Sequence, residues 1–387
     1  MATVSARIRL TRDLPTWLVY LQLGTFATFL YGLSAALPLL RDDLHVSNAV
    51  AGLHGTAMAA GNVLTGLLLP VLTRRFGRRA LVWAGLAGMS ASVVLIVLVP
   101  AAAATILGYG LGGGLGSMAL YSAMAALSEH HGPAGPAAIS EANGVAVVLG
   151  IGVSLLLSVA AQSGLGWRPA LLVTPVLTAV LAAALGRVWV PERDRSAGGP
   201  HATAGRPGWR FHLAGAVLFC VVALEFCFNL WAAALFAANT GLSAAQAATG
   251  LTAFTVGLAV GRFAGGNLAL RLPPARLLVG AMLLTGAGWL VFWLGAQPVI
   301  GYAGLVIAGL GAALQFPLAL AGMITASGEH PDRASAAAPI WAGVAMAVGP
   351  LLLGALADGF GTSTAFLLVP VLIGLAVCGV LSSRTRS

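Results

Sequence analysis

The chain is poor in charge and contains no lysine. Only 8% of its 387 residues are charged, and all 20 basic residues are arginine. A soluble domain of this length normally covers its surface with about a quarter charged residues, so the composition excludes an ordinary soluble globular protein. Hydrophobic residues make up 59% of the chain, and we expect this apolar surplus to face the hydrocarbon core of a lipid bilayer.

Cysteine is also scarce, and the usual signatures of cofactor and nucleic-acid sites are missing. Cys220, Cys227 and Cys378 lie in apolar runs without a Cys-x-x-Cys pair, which favours buried free thiols. The glycines between 108 and 116 lie inside an apolar segment, so they predict helix packing and not a dinucleotide loop. The arginines form short clusters, not a groove-binding patch. We predict no cofactor, no metal, no catalytic residue, no ATP drive and no nucleic-acid partner.

Twelve apolar segments of about 20–28 residues follow one another along the chain. Each is long enough to cross the hydrocarbon core as a helix, which takes about 20 residues. They are predicted at 16–40, 47–72, 79–99, 102–128, 137–162, 168–190, 211–238, 245–270, 275–296, 299–327, 333–357 and 363–382. The predicted fold class is therefore an all-α integral membrane protein with twelve transmembrane helices.

A polar segment divides the twelve spans six and six. Residues 191–210 are rich in Gly, Pro and Arg, the composition of a flexible linker. The halves also share short matches in the same order: Glu129-His130 recurs as Glu329-His330, and Gly110-Leu111-Gly112 as Gly309-Leu310-Gly311. We predict an internal duplication with a six-helix bundle at 1–190, a cytoplasmic linker at 191–210 and a six-helix bundle at 211–387.

The distribution of arginine predicts the orientation in the membrane. With the N-terminus inside, all arginines except Arg41, Arg168 and Arg262 fall in cytoplasmic segments. Basic residues concentrate on the cytoplasmic side of membrane proteins. We therefore predict a multi-pass protein of a bacterial-type inner cell membrane with both termini in the cytoplasm. The first apolar stretch is longer than a signal-peptide core, and we interpret it as an uncleaved span.

The turn between the second and third spans carries a motif. Residues 70–79 read Pro-Val-Leu-Thr-Arg-Arg-Phe-Gly-Arg-Arg. This turn resembles the Gly-x-x-x-Asp-Arg-x-Gly-Arg-Arg turn of the major facilitator superfamily, and the resemblance extends over nearly the whole chain. The matching residues are Arg75, Gly77, Arg78 and Arg79, whereas Pro70 and Arg74 replace the glycine and the acid. The equivalent turn after span eight has Gly266, Leu270 and Arg271, again without the acid.

The resemblance implies a transporter with two pseudo-symmetric six-helix bundles, a central cavity and alternating access. It also implies a gating role for Arg75, Gly77, Arg78 and Arg271. Loss of the acid puts in doubt the charge relay that the family assigns to this turn. The alternative is that these arginines serve only as topology signals.

Gly349-Pro350, followed by Gly354, resembles the Gly-Pro motif of the family's exporters. A proline inside a span removes a backbone hydrogen bond and kinks the helix, so we assign Gly349 and Pro350 a conformational role. Drug/proton antiporters usually carry this motif in span five and often an arginine in span four. Neither feature is present in those spans here, so the chain is drug/proton antiporter-like with departures.

Glu225 lies near the middle of span seven, and Asn229 follows one helical turn later. An acid at this depth costs about 3 kcal/mol or more on insertion scales, so we expect Glu225 to face protein or water. We interpret the pair as candidates for proton coupling or substrate binding. Structural pairing of Glu225 with a distant arginine is the alternative. Arg262, the other deep charge, is predicted to pack or gate rather than to contact substrate.

Other polar and aromatic side chains in the spans complete the predicted binding site. His54 and Asn62 share a face of span two, for which ordinary interhelical hydrogen bonds are the alternative. The remaining candidates are Tyr31, Tyr121, Gln315 and Trp341.

These features together predict a monomeric secondary active transporter that moves a small molecule, with protons as the coupling ion. Our first interpretation is proton-coupled efflux. The alternative is uptake of a small metabolite by proton symport. A third hypothesis is a membrane-embedded sensor or enzyme, which would need a polar catalytic cluster or an appended soluble domain. The sequence shows neither.

Overall fold

The computed structural model describes residues 10–162, 166–190, 208–328 and 331–383, and the regular elements in these ranges are all helical. The first half contains α1 (Leu14–Asp43), α2 (Asn48–Leu98), α3 (Ala102–His131), α4 (Gly135–Gln162) and α5 (Val173–Leu185). The second half contains α6 (Trp209–Thr240), α7 (Ala244–Ala269), α8 (Pro274–Leu294), α9 (Pro298–Ala312), α10 (Gln315–Ala326), α11 (Pro331–Phe360), α12 (Thr362–Ala365) and α13 (Leu368–Ser382). Short 3-10 turns at Gly132–Ala134 and Arg168–Leu172 precede α4 and α5.

Nine helical stretches in the described ranges are long and apolar enough to cross a membrane. Two of them, Val50–Leu98 and Ala102–Ala161, are 49 and 60 residues long. Each of these holds two passes, because one pass takes about 20 residues. The α7 helix, with 26 residues, is a further pass, and α9 with α10 forms one broken pass. The predicted all-α fold of twelve transmembrane helices is confirmed.

The two halves repeat the same packing. In the first half α1 packs against α4, and in the second half α6 packs against α11. The contact between α2 and α3 has its counterpart in the contacts of α7 and α8 with α9. Two equivalent contacts, α2 with α11 and α4 with α7, join the halves. This is the packing expected of two pseudo-symmetric bundles. Most of the predicted linker, 191–207, lies outside the described residues, and α6 already begins at Trp209.

The α2 helix reverses direction at Gly77. Its φ of 74° and ψ of 162° belong to a region that strains residues with a side chain. A Cβ at Gly77 would meet nothing within 4 Å, so the backbone conformation, and not packing, requires glycine here. The turn places Arg75 and Arg78 at the end of the bundle where α1 begins and α13 ends. We call this end the Arg-rich side.

Glycines allow close approach of helices within each half. A Cβ at Gly61 in the second pass would collide with the carbonyl oxygen of Gly110 in α3. In the eighth pass, a Cβ at Gly257 would collide with the carbonyl oxygen of Val306 in α9. Such approach matters because helices in lipid associate largely through van der Waals packing. The outer surface carries large apolar side chains such as Val299, which is 77% exposed.

Contacts between the halves extend from the Arg-rich side to the middle of the bundle. Where α2 meets α11, Gly66 lies against Ile340. Where α4 meets α7, Gly144 lies against the ring of Phe263. At the Arg-rich end itself, Arg78 forms an ion pair with Asp332 of α11. The structure is therefore closed on the Arg-rich side.

Candidate functional site

A cavity of about 130 Å³ lies near the middle of the bundle, between the two halves. Its wall is mainly apolar and aromatic, with polar groups concentrated on a few helices. The residues that line it are Leu23, Phe26, Ala27, Leu30, Tyr31, Met58, Asn62, Gly113, Ser117, Leu120, Tyr121, Asn143, Ala146, Val222, Glu225, Phe226, Arg262, Phe316, Ala342 and Met346. Both halves contribute residues to this wall, as expected for a site at the interface of two bundles.

Two opposite charges meet on the wall of this cavity. Arg262 Nη2 of α7 lies 3.6 Å from Glu225 Oε1 of α6, and the two side chains are 7% and 17% exposed. Each charge alone would be strongly disfavoured at membrane depth, and pairing lowers that penalty. The distance is longer than that of a charge-assisted hydrogen bond, which is about 2.7–2.9 Å. The pair is therefore an electrostatic contact without close hydrogen bonding.

Arg262 also connects the second half with the first. Its backbone carbonyl accepts a hydrogen bond from Ser140 Oγ of α4 at 3.1 Å. Its Nη1 lies 3.5 Å from the backbone oxygen of Asn143. The Tyr31 phenol of α1 interacts with the same guanidinium group. A change in the charge of the Glu225–Arg262 pair therefore alters electrostatic contacts in both bundles.

Four of the predicted binding residues line the cavity: Tyr31, Asn62, Tyr121 and Glu225. Asn62 is anchored there, since Ser117 Oγ donates a short hydrogen bond to Asn62 Oδ1. Its Nδ2 lies 3.6 Å from Met346 Sδ of α11, so Asn62 also contacts the other half. The structure therefore brings together candidates that are far apart in the sequence.

The other four predicted binding residues lie away from this cavity. Asn229 donates to the backbone oxygen of Glu225 at 2.9 Å, so its amide is used within its own helix rather than with the carboxylate. His54 Nε2 lies 2.9 Å from Thr105 Oγ1, an interhelical contact within the first half. Two others pack within the second half: Gln315 donates to Thr285 Oγ1 at 2.7 Å, and Trp341 lies against Gly215.

Arg78 is a buried and closely paired charge at the Arg-rich side, where it is 2% exposed. Its Nη1 and Nη2 donate to the Glu129 carboxylate of α3 at 2.6 and 3.0 Å. Its Nε donates to Asp332 Oδ1 of α11 at 2.7 Å. Glu129 belongs to the same half as Arg78, whereas Asp332 belongs to the other. Arg78 therefore forms an ionic bridge across the closed end of the bundle.

Comparison with known proteins identifies the family. The sequence profile of the Major Facilitator Superfamily matches residues 19–236 and 214–386. The chain belongs to the major facilitator superfamily. A curated relative, an uncharacterized MFS-type transporter from Yersinia pestis, is 25% identical over 381 residues, which cover 93% of this chain and 94% of the relative.

Solved structures of the superfamily show the same fold. FucP in its outward conformation is 16% identical, with a TM-score of 0.80 over 96% of this chain and 99% of that chain. The human organic anion transporter MFSD10 is 16% identical, with a TM-score of 0.74 over 96% of this chain and 99% of that chain. The proton:xylose symporter XylE is 15% identical, with a TM-score of 0.77 over 95% and 94%. At these identities the likeness establishes a multi-pass membrane transporter fold and no substrate.

The remaining gating candidates of this superfamily member lie at three different places. Arg75 is exposed, with its guanidinium over the neighbouring Phe76 ring. Arg271 lies beyond the end of α7 and is also exposed. Gly349 lies against α6, where an added Cβ would be 2.8 Å from Ala223 Cβ. The carbonyl oxygen of Pro350 accepts a hydrogen bond from Trp231 Nε1 of α6 at 3.1 Å.

A second polar cluster ties α1 to α3 at the Arg-rich side. Asp13 caps α1, and its carboxylate accepts hydrogen bonds from Thr16 and lies 2.8 Å from His130 Nε2. Burial acts to raise the pKa of Asp13, but the hydrogen bonds with Thr16 and His130 outweigh it and lower that pKa below its usual value. The side chains of Asp13, His130 and His131 each offer an atom that could bind a metal ion, and these atoms lie within 4.8 Å of one another. His131 Nε2 in turn contacts Thr16 Oγ1, so these groups already satisfy one another.

Sequence reasoning missed several residues of the site. Arg262 was assigned to packing or gating, yet it lies on the cavity wall beside Glu225. Asn143 and Ser117 were not candidates, although a polar side chain within an apolar span was the available signal. Asp332 was not recognised as a partner of Arg78, because 254 positions separate the two residues. Glu141, at the Arg-rich side, pairs with Arg12 at 2.7 Å.

Proposed function

We propose that this chain is a proton-coupled secondary transporter that moves a small molecule through the central cavity by alternating access. The observation that carries the proposal is the Glu225–Arg262 pair. It is the acid–base pair on the cavity wall, and its partners reach into both halves. A proton that binds there changes a charge at the boundary between the two moving bundles.

The physical basis of coupling is the balance of charge at Glu225. A carboxylate in a poorly solvated site is stabilised by Arg262, and removal of that partner favours the protonated acid. A substrate that competes for Arg262, or for Glu225 itself, therefore changes proton binding. When the cavity opens to alternate sides, the same carboxyl group meets different proton concentrations. Proton movement and substrate movement are thereby linked.

Substitution of Glu225 by Gln tests this function. Purified protein in proteoliposomes is given a pH gradient and a panel of single-ring organic anions, cations and neutral compounds, with a pH-sensitive dye inside. We expect wild type to move protons with at least one compound. We expect Glu225→Gln to lose gradient-driven accumulation and to retain passive exchange, because Gln keeps the shape and cannot titrate.

The matched control is Asp42→Asn, which removes an exposed acid paired with Arg41. This variant is expected to behave as wild type. Full accumulation by Glu225→Gln would reject the coupling role. If Glu225→Gln fails to fold, the acid acts instead as the structural partner of Arg262.

The closed Arg-rich side helps to assign the structure to the outward-facing or the inward-facing state of the transport cycle. If both termini face the cytoplasm, as the arginine distribution predicts, the cavity belongs to an outward-facing state of a cell-membrane transporter. Single cysteines in place of Arg74, an exposed residue of the Arg-rich turn, and Arg168 test the orientation with a membrane-impermeant thiol reagent on intact cells. We expect labelling at position 168 only. Labelling at position 74 alone would reverse the orientation and make the state inward-facing.

Two directions of transport follow from different observations. Gly349-Pro350 resembles an exporter motif, which supports proton-coupled efflux. The pairing of Glu225 with a cation supports uptake by proton symport, because protonation of Glu225 frees Arg262 to bind substrate. We propose symport as the second candidate on this ground. A monomer is sufficient for either direction, since a single chain provides both halves.

A further inference from the structure

We propose that the cavity binds an amphipathic organic anion, with an apolar body of about one ring and a single oxyanion group held by Arg262. This inference rests on the proposed function, because it names the substrate class of the same cavity. A carboxylate serves as the representative oxyanion. A cation does not fit the distribution of charge on this wall.

The first argument is the incomplete hydrogen bonding of Arg262. A guanidinium group offers five N–H donors in a planar fork that suits an oxyanion. In the described residues Nε has no hydrogen-bond partner, Nη2 is 3.6 Å from Glu225, and Nη1 is 3.5 Å from a backbone oxygen. The Tyr31 phenol also interacts with this guanidinium group, which leaves Nε as the donor without a partner. Buried donors left in this condition carry a free-energy penalty. An oxyanion in the cavity would remove it.

Arg78 is a buried arginine of the same chain in which each of the three nitrogen atoms donates to a carboxylate. It donates to Glu129 and Asp332 at 2.6, 3.0 and 2.7 Å, and it lies outside the cavity wall. Arg262 lies on that wall and makes no contact of comparable length with a carboxylate. Arg78 therefore joins helices, whereas Arg262 has N–H donors that remain able to bind a ligand.

The second argument is the chemistry of the remaining wall. Glu225 is the acid among the described residues that line the cavity, and Arg262 stands beside it. A cationic substrate would have to approach that guanidinium, which opposes it. Phe26, Phe226 and Phe316 contribute apolar surface to both sides of the cavity. The volume of about 130 Å³ approaches that of engineered apolar cavities of about 150 Å³, which hold a benzene ring.

The third argument joins anion binding to proton binding. Ionised Glu225 neutralises Arg262 and repels an incoming carboxylate, whereas protonated Glu225 does neither. The anion and the proton therefore favour the same state of the cavity, and each must raise the affinity for the other. The other titratable groups on the described wall are Tyr31 and Tyr121, which are neutral near pH 7. The coupling between proton binding and anion binding thus involves Glu225, Arg262 and the substrate.

The test uses three probes with one body and different head groups: phenylacetate, phenylacetamide and phenethylamine. Binding to the purified full-length chain is measured by isothermal titration calorimetry between about pH 6 and pH 8, where a simple carboxylate stays ionised. We expect phenylacetate to bind roughly tenfold tighter than either other probe, because a hydrogen bond to a charged group is worth about that factor or more. We also expect its affinity to rise as the pH falls.

The variants assign the effect to the two charges. Arg262→Gln should bind phenylacetate and phenylacetamide equally, and Glu225→Gln should bind phenylacetate tightly without dependence on pH. The control Arg276→Gln, at an exposed position at the start of α8, should behave as wild type. Because Arg262→Gln leaves Glu225 without its cation, Glu225→Gln/Arg262→Gln is measured as well, and it should also lose the preference for the anion.

Several results would overturn the proposal: tighter binding of phenethylamine, no binding of phenylacetate by wild type, or an anion preference retained by the double variant. Proton flux in proteoliposomes separates this inference from the proposed function. Proton-coupled movement of phenethylamine would reject the anion site and keep the transporter. Binding of phenylacetate through Arg262 without any proton-coupled movement would keep the anion site and reject the coupled transporter.

Discussion

Single residues decide how the two halves are held together at the Arg-rich side. Arg78 lies between an acid of its own half, Glu129, and an acid of the other half, Asp332. If the halves separate there, as we propose, the contact with Glu129 can stay intact while the contact with Asp332 breaks. The two acids therefore differ in role. Glu129 positions the guanidinium group, and Asp332 contributes to the stability of the closed state.

Removal of the charge of Asp332 should favour opening at the Arg-rich side. A hydrogen bond to a charged group contributes about 1.5–3 kcal/mol, so Asp332→Asn is expected to raise the open population roughly tenfold or more. The measurement is the distance distribution between spin labels on cysteines replacing Arg74 and Arg276, in a background without the native cysteines. These two exposed positions lie on different halves.

Asp358→Asn is the matched control, because Asp358 is an exposed acid at the opposite end of the same helix. Its distance distribution should equal that of the parent protein. An unchanged distribution in Asp332→Asn would show that the bridge to Arg78 does not hold this side closed. The arginine-rich turn would then serve orientation alone.

The sequence predicted part of the binding site because a charge within an apolar span is conspicuous. Glu225 was found in this way, and it does line the cavity. Asn229 was placed beside it from helical periodicity, yet its amide is used by the carbonyl four residues earlier, a local competition that periodicity does not reveal. Arg262 was visible as a deep charge, but its pairing with Glu225 depends on how α6 meets α7. Contacts of that kind are absent from a linear pattern.

At the scale of helices, length and hydropathy predicted the number of passes. The apolar segments at 47–72 and 79–99 both lie within α2, since Gly77 turns the chain without a loop. The segment at 299–327 is broken between α9 and α10. Pro317 lies four residues after Ala313, where α9 has just ended, and a proline disturbs a helix at the residue four positions earlier. Mean hydropathy does not register such a break, so it located the passes and not their interruptions.

The helices that join the halves use small residues at the contact. Gly343 of α11 would place an added Cβ 3.1 Å from Val63 Cγ2 of α2. In the other interface, Gly144 of α4 lies against Phe263 of α7. Small residues permit close backbone approach in a membrane. They also leave few side chains to disengage when the contact opens, which suits a surface that forms and separates repeatedly.

At the scale of the whole molecule, transport requires two states of similar free energy. The structure shows one of them, closed at the Arg-rich side through the contacts of α2 with α11 and of α4 with α7. A substrate shifts the balance only through a difference in its affinity for the two states. A cavity shared by both halves can provide that difference. If the halves rock as rigid bodies, a covalent link across the α2–α11 contact must stop the cycle, whereas a link inside one half must not.

The cysteine pair Val63→Cys/Gly343→Cys tests this in a background without the native cysteines. An added Cβ at Gly343 lies 3.1 Å from Val63 Cγ2, the atom one bond beyond the Val63 Cβ. This contact favours a disulfide, which needs Cβ atoms about 3.5–4.5 Å apart. The control pair Gly32→Cys/Val153→Cys joins α1 to α4 within the first half, where an added Cβ at Gly32 lies 3.5 Å from Val153 Cγ2. After oxidation we expect the first pair to lose proton-coupled transport and to recover it on reduction. The control should transport in both redox states. Transport by the oxidised α2–α11 pair at the reduced rate would mean that this contact does not separate during the cycle, and that substrate passes without the rocking of two bundles.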